Sequence, residues 1–395
     1  MSSPVVEIEA ALRGIRSTRA EIDVDVLAAN IRVLKARRPP ETPFMAVIKA
    51  NAYGHGAVPV ARAVLDAGAT HLAVATVGEA RRLRANGITA PVMILGSIDP
   101  WEAAEAVALR IDLAVATHEL YDAILVATAT SSTTARVHIK VDTGLNRYGA
   151  LPAVATELAR RAQQDDRIEF VGLFTHFASS DETDTAFTFD QVARLEAIKL
   201  AWAAEGITPE IVHSCNSGGV IWGDFPGMIR PGMILYGIAP SDEVPILPGM
   251  APALTLCSRV QRVFPLEVGE SVGYNRTYVA ERRQLAALVP VGYADGYRRE
   301  LSSRGWVGIA GNRCPVLGRV SMDQIVVGIP DDATISVGSE VVVMGGSGGL
   351  GAPTIEEVAR MVGTNPYEIL TGISARVPRV YRRSGRVVEV EDLLA

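Results

Sequence analysis

Between residues 44 and 236, short apolar runs recur at a nearly regular interval. They fall at 44–48, 71–75, 91–95, 112–116, 136–141, 170–174, 211–215 and 232–236. Most gaps between them carry amphipathic stretches of helical period, at 58–67, 78–85, 101–109, 119–127, 154–163 and 189–204. Strands that are apolar on both sides belong to buried parallel sheets, and strand–helix alternation builds such sheets. A doubly wound open sheet has the same local pattern, but eight is the number that closes a barrel. The expectation is therefore α/β, with an N-terminal (β/α)8 TIM-like barrel. Ahead of it, 19–24 alternates like a strand, and 25–37 places Leu27, Ile31 and Leu34 on one helical face. Pro39, Pro40 and Pro43 stop that helix.

Past residue 236 the rhythm changes. Residues 241–252 are proline-rich and aperiodic, which predicts a linker. Runs of β character follow at 254–263, 285–289, 308–310, 316–320, 325–329, 340–344 and 379–390, interrupted by one helix at 355–362. Glycine turns between them predict a mostly antiparallel β C-terminal domain. The expected division is a tail at 1–15, the barrel at 16–248 and the β-rich domain at 249–395. The glycine run at 345–349 is read as a surface loop, because no strand–helix turn or Lys-Ser/Thr pair flanks it as in a phosphate cradle.

Composition narrows the function. A length of 395 residues favours two domains, and 48% hydrophobic with 21% charged residues suits a soluble protein with a large core. A net charge of −6 argues against nucleic acid as a partner. Cys215, Cys257 and Cys314 are too few and too far apart for a disulfide framework or a metal site. The N-terminus has neither the basic start nor the apolar run of a signal peptide, and no segment has the ~20 apolar residues of a membrane span. A cytoplasmic, membrane-free setting is expected.

The candidate chemistry lies where the apolar runs end, the face that carries active sites in such barrels. Lys49 ends the first run, and a lysine there is costly unless it is paired or used. Salt bridging and Schiff-base chemistry at a depressed pKa both answer that cost. The fifth run leads to Lys140, Asp142, Thr143 and Arg147, the sixth to His176, and the seventh to His213, Asn216 and Ser217. Arg230 and Pro231 precede the eighth, which begins with Gly232 and Met233. Any one of these has a bland structural reading, but a set drawn from several strands to one face does not. Barrels often bind phosphate between strands seven and eight, which places Ser217 beside the Gly232–Met233 backbone.

The stretch AVIKANAYGHG around Lys49 resembles the pyridoxal-phosphate lysine motif of the alanine racemases. KVDTGLNRYG, LFTHF, HSCNSGG, RPGMILYG, GYNRTY, VGYADGYRR, GRVSMD and NPYE are similar to further motifs of that family, over roughly residues 19–381. The resemblance implies pyridoxal 5'-phosphate on Lys49, with Tyr53 at its phosphate. Arg147 would touch the cofactor's phenolic oxygen and the substrate carboxylate. His176 would lie over the ring, Arg230 at its nitrogen, and Tyr367 near the cofactor. Lys140 would be carbamylated, becoming an anion that holds Arg147. Tyr274 would be the second base and Met322 a substrate contact, with His213, Tyr293, Arg319 and Asp323 in support. It also implies a homodimer in which Tyr274 completes the partner's site. Leu145, Gly218 and Gly273 depart from the usual residues and bear on substrate breadth.

Racemisation needs an acid–base group on each face of Cα, and Lys49 and Tyr274 fill those places, for the D- and L-enantiomer respectively. A phenol is a poor base at neutral pH unless cations favour its phenolate, an influence expected from His176, itself linked to Arg230. Arg230 cannot accept a proton, so it would leave the ring nitrogen unprotonated and shorten the carbanion's life. Alanine is the expected substrate and peptidoglycan supply the expected role. A broad-specificity racemase, a PLP decarboxylase and a non-catalytic PLP carrier stay open as alternatives.

Overall fold

The computed structural model describes residue 12 and residues 14–392, except 132, 224, 226 and 347–350. Most of the tail expected at 1–15, and of the glycine run at 345–349, lies outside the described residues.

Seven parallel strands, Met45–Val47, His71–Val74, Val92–Ile94, Asp112–Val115, Ala135–Lys140, Ile168–Phe174 and Ile211–His213, pair in sequence order. Their side chains are almost wholly buried because helices cover the outside and the barrel core fills the inside. Helices of the predicted period join them, among them Ala57–Asp66, Val77–Ala85, Pro152–Gln164 and Ala186–Ala204. The barrel closes, but not where the eighth apolar run predicts. Residues 232–236 form a 3₁₀ turn, Met233–Tyr236, after Gly232. The closing stave is 228–231: Met228 N–H bonds Val212 O (3.2 Å), Met45 N–H bonds Ile229 O (2.8 Å), and Val47 N–H bonds Pro231 O (3.1 Å). Pro231 has no N–H to give to a ladder, so this segment donates less than a regular strand and carries a weaker strand signature.

The second domain is built on a seven-stranded sheet, with a three-stranded sheet and a two-stranded ribbon beside it. The strand Arg19–Asp23, within the stretch assigned above to the barrel, is hydrogen-bonded into this larger sheet instead. It lies between Leu254–Arg259, antiparallel, and Arg379–Arg383, parallel. The predicted run at 379–390 is a hairpin, Arg379–Arg383 with Arg386–Glu391, turned at Ser384 and Gly385 with φ of 50° and 74°. Residues 316–320 contribute only an isolated bridge, Val316 with Val327. A second short helix, Pro366–Thr371, follows the expected Ile355–Val362.

The aperiodic linker is tied down by buried Asn30. Its Nδ2 donates to Leu235 O (3.1 Å) and Ala251 O (2.9 Å), and its Oδ1 accepts from Ala251 N–H (3.1 Å). No described helix is long and apolar enough to cross a membrane.

Candidate active site

The first barrel strand delivers Lys49 into a left-handed helical turn. Ala50, Asn51, Ala52 and Tyr53 all have φ between 50° and 55°. This region costs residues with a Cβ roughly 1–2 kcal/mol each, and such strain survives where the surroundings over-determine it. Here they do. Glu79 Oε1 accepts from Ala50 N–H (2.6 Å), and Asn51 Oδ1 accepts from Ala57 N–H (2.9 Å). The second domain supplies the rest of the mould: Arg379 Nε donates to Gly54 O (3.1 Å), and the Tyr381 hydroxyl to His55 O (2.9 Å). A Cβ on Gly54 would lie 2.3 Å from Leu370 O, and one on Gly56 1.6 Å from the Tyr381 hydroxyl. Only glycine passes between the two domains there.

The turn opens onto a cavity of about 370 Å³ at the barrel mouth, within the size range of small-ligand sites. Lys49, Tyr53, Arg147, His176, Asn216, Ser217, Arg230, Gly232, Met233 and Tyr367 all line it. Tyr367 arrives from the second domain. Among the described lining residues, Lys49, Arg147 and Arg230 face one carboxylate, Asp181, so an acidic chain presents a cationic cavity. Burial and the Arg147 charge pull the Lys49 amine below its ordinary pKa, with Glu79 opposing. Lys140 lies behind the wall, its Nζ 5.0 Å from the Tyr148 ring centre and 5.2 Å from that of Phe174. Burial, then Arg230, Arg147 and Lys49, lower its pKa to about 7. His176, half-buried, is held neutral by desolvation and the same cations.

One end of the cavity suits a phosphate. Ser217 Oγ accepts from Gly232 N–H (3.0 Å), and a Cβ on Gly232 would lie 2.8 Å from the Tyr53 hydroxyl. Two hydroxyls therefore converge on a gap that exists because residue 232 has no side chain. Burial raises both tyrosine pKa values, that of Tyr367 to about 12, so both phenols remain donors at neutral pH.

Arg230 is buried and fixed by its donors: Nη1 to His213 Nδ1 (2.8 Å), and Nη2 to Thr175 O (2.8 Å) and Ser214 O (3.0 Å). Burial lowers its pKa to about 10, so it keeps its charge at neutral pH. The imidazole hydrogen-bonded to Arg230 is that of His213. The link expected from His176 is absent among the described hydrogen bonds, and the two meet only through charge. Arg147 rides on a loop shaped by Asp142, whose Oδ1 accepts from Gly144 N–H (2.8 Å) and Asn146 N–H (3.2 Å).

Tyr274 and Met322 are not in this cavity. With Gly273, Ser321, Asp323 and Gln324 they line a separate cleft of about 550 Å³ in the second domain, where Tyr274 is 70% exposed. Tyr293 is joined to that cleft, its N–H bonding Ser321 O (3.1 Å), and Asp323 pairs with Arg376 (2.8 Å). Arg319 adjoins Gly273, and its Nε has no hydrogen-bond partner among the described residues.

Other contributors escape a sequence reading. Buried Gln191, in the second turn of the helix Ala186–Ala204, accepts from Ala178 N–H (2.8 Å) and donates to Thr143 Oγ1 (3.0 Å) and His176 O (3.2 Å). Ser180 and Asp181 sit on the loop after the sixth apolar run, where the strand-end rule could have found them. Asp112 and His138 lie inside apolar runs, and their only signal is a polar residue at a buried position.

Known proteins agree with this geometry. A family model for the alanine racemase N-terminal domain matches residues 22–240, and one for the C-terminal domain matches 253–381. An alanine racemase of Symbiobacterium thermophilum is 44% identical over 373 residues, 94% of this chain and 98% of its own. One of Desulfovibrio desulfuricans is 39% identical over 372 residues, 93% of this chain and 98% of its own. Among solved structures, the alanine racemase of Clostridium difficile superposes with a TM-score of 0.92 at 33% identity, covering 97% of this chain and 100% of that one. That of Bacillus anthracis with bound L-Ala-P gives 0.88 at 36%, covering 96% and 98%. Two domain models spanning the barrel and the β domain, with relatives matched nearly end to end, place this chain in the alanine racemase family.

Proposed function

We propose that the protein interconverts L-alanine and D-alanine with pyridoxal 5'-phosphate, using Lys49 and Tyr274 as acid–base groups on opposite faces of Cα. The observation that carries this reading is the cavity. An amine of lowered pKa begins a strained turn, two arginines face it, and two hydroxyls and a glycine gap form an anion-sized end. Bound to Lys49, the cofactor supplies an electron sink for the charge left when the Cα proton departs. Tyr53, Ser217 and the Gly232–Met233 backbone hold its phosphate, and Tyr367 closes over it. Arg230 offers the ring nitrogen a donor and no proton, which limits that sink and favours return of the proton over other outcomes. Arg147 binds the substrate carboxylate.

The neutral amine available to Lys140 near pH 7 supports carbamylation: its nitrogen bonds the carbon of CO₂ and loses a proton, leaving an anion beside Arg147. The exposure of Tyr274 and Met322 in a cleft apart from Lys49 supports a homodimer in which each copy completes the other's site. We place the product in D-alanine supply for peptidoglycan, in the cytoplasm. For the domain division we keep a barrel and a β-rich unit and move Arg19–Asp23 to the second, a choice that its pairing with Leu254–Arg259 and Arg379–Arg383 supports.

The deciding measurement is enantiomer appearance from L-alanine, L-serine, L-lysine and L-arginine with purified, PLP-loaded protein. Fast conversion of alanine alone is expected. Comparable conversion of the larger substrates would make it a broad-specificity racemase, and none at all would overturn racemisation.

A further inference from the structure

Four polar side chains form an unbroken line through the barrel interior beneath Arg230. Arg230 Nη1 meets His213 Nδ1 at 2.8 Å, His213 Nε2 meets His138 Nδ1 at 3.0 Å, and His138 Nε2 meets Asp112 Oδ2 at 3.4 Å. Arg136 Nε donates to the other carboxylate oxygen at 2.7 Å. Asp112, His138, His213 and Arg230 are each no more than 2% exposed. The barrel wall makes room for the line. The strand Ile168–Phe174 slips register beside His138 and sets Gly172 opposite it, where a Cβ would lie 2.1 Å from His138 Nδ1. The Phe174 ring stacks on His213 at 4.7 Å. Burying two imidazoles and a carboxylate in an otherwise apolar core is costly unless each is satisfied.

The protons in this line have one consistent order. A guanidinium only donates, so His213 Nδ1 is an acceptor and its proton is on Nε2. That proton points at His138 Nδ1, which must accept, so His138 also carries its proton on Nε2 and gives it to Asp112. The carboxylate, acceptor-only when ionised, is the end that fits this order. Burial raises the Asp112 pKa, but the bonds from His138 and Arg136 more than offset it. An amide in its place would keep its oxygen on Arg136 and turn its NH₂ toward His138. Both imidazoles would then invert, and His213 would present N–H to a guanidinium N–H.

We propose that Asp112 and His138 are positioning residues for Arg230, fixing through His213 the proton order that aims the guanidinium at the cofactor. This rests on the placement of Arg230 at the ring nitrogen proposed above. The test is ¹⁵N NMR of histidine-labelled, PLP-loaded protein, in which protonated and unprotonated ring nitrogens are distinct. His138 and His213 are expected as neutral Nε2–H tautomers. A proton on Nδ1 of either would overturn the proposal, and this measurement needs no variant. In Asp112→Asn, His213 should invert to Nδ1–H, with a shifted cofactor absorption band and alanine turnover lower by about 10- to 100-fold, by analogy with the loss when the carboxylate behind a metal-bound histidine is removed. Asp112→Glu should restore all three. Unchanged tautomers and full turnover in Asp112→Asn would refute the positioning role. Wild-type protein with the stated tautomers but no alanine racemisation would instead overturn the proposed function and leave the proton order standing.

Discussion

Lys140 is buried among three other cations, and its low pKa has a consequence for stability that can be signed. An ordinary lysine titrates near 10.5 and this one at about 7. Between those values the unfolded chain binds the extra proton, so stability rises with pH across that window and loses the gain as pH falls to 7. In CO₂-free buffer, cofactor-free protein should gain about 2 kcal/mol between pH 7 and 9 from this group. Urea midpoints should show that gain in wild type and not in Lys140→Met. For Tyr274→Phe, the expectation is a selective loss of Cα proton exchange from L-alanine in heavy water, with the cofactor still bound. Equal loss from both enantiomers would count against Tyr274 as the base for the L-face. Lys49, Arg147, His176, Asn216 and Ser217 were legible in the sequence because they follow the ends of barrel strands, where position itself implies use, whereas Tyr53 and Tyr367 were found only through the family resemblance. His138, Asp112 and Gln191 were not, because a side chain satisfied inside a core leaves no period or motif. The partner of Arg230 was misassigned to His176, since His176 follows one barrel strand and His213 ends the next, and only the fold says which one turns inward.

Among the elements, the left-handed turn after Lys49 depends most on its neighbours. Gly56, at φ 93°, has the Tyr381 hydroxyl where a Cβ would go. Gly56→Ala should therefore destabilise by about 2–3 kcal/mol, the scale of a special-φ position combined with overpacking. Adding Tyr381→Phe should recover part of that by removing the closest contact but not the strain, as read by thermal melts and by retention of PLP through dialysis. A partner-independent loss, identical in single and double variants, would show that the second domain is not the mould. The alternation of strands and helices was readable because buried strands are apolar throughout and covering helices are not. The eighth stave was misplaced because 228–231 combines Arg230 and Pro231 with a short apolar pair, whereas the following 3₁₀ turn is apolar at every position. Buried apolar residues look alike in sequence whether the backbone is extended or wound.

At the scale of the whole molecule, Lys49 and Tyr274 line different cavities of one chain, and the proposed homodimer would make the site a property of two copies. Lys49→Ala and Tyr274→Ala should each be inactive alone. Unfolded together and refolded, they should recover roughly a quarter of wild-type activity, since random pairing makes half the dimers mixed and each mixed dimer holds one intact site. No recovery, with dimers formed, would place both bases in one chain. The two-domain plan was visible in composition and rhythm, yet the membership of Arg19–Asp23 was not, because a strand's sequence does not name its partners. That membership also governs how the protein is made. The strand leaves the ribosome among the first elements, but its parallel neighbour pairs Ala20 with Arg379, and at 5–20 residues per second that partner appears roughly 20–70 s later. Through that interval the barrel can close while the strand Arg19–Asp23 stands open-edged and the turn at Lys49 lacks Arg379 and Tyr381. The newborn enzyme is thus a finished scaffold with an unset lysine, and the strand Arg379–Arg383, made long after the barrel, is the one that arms it.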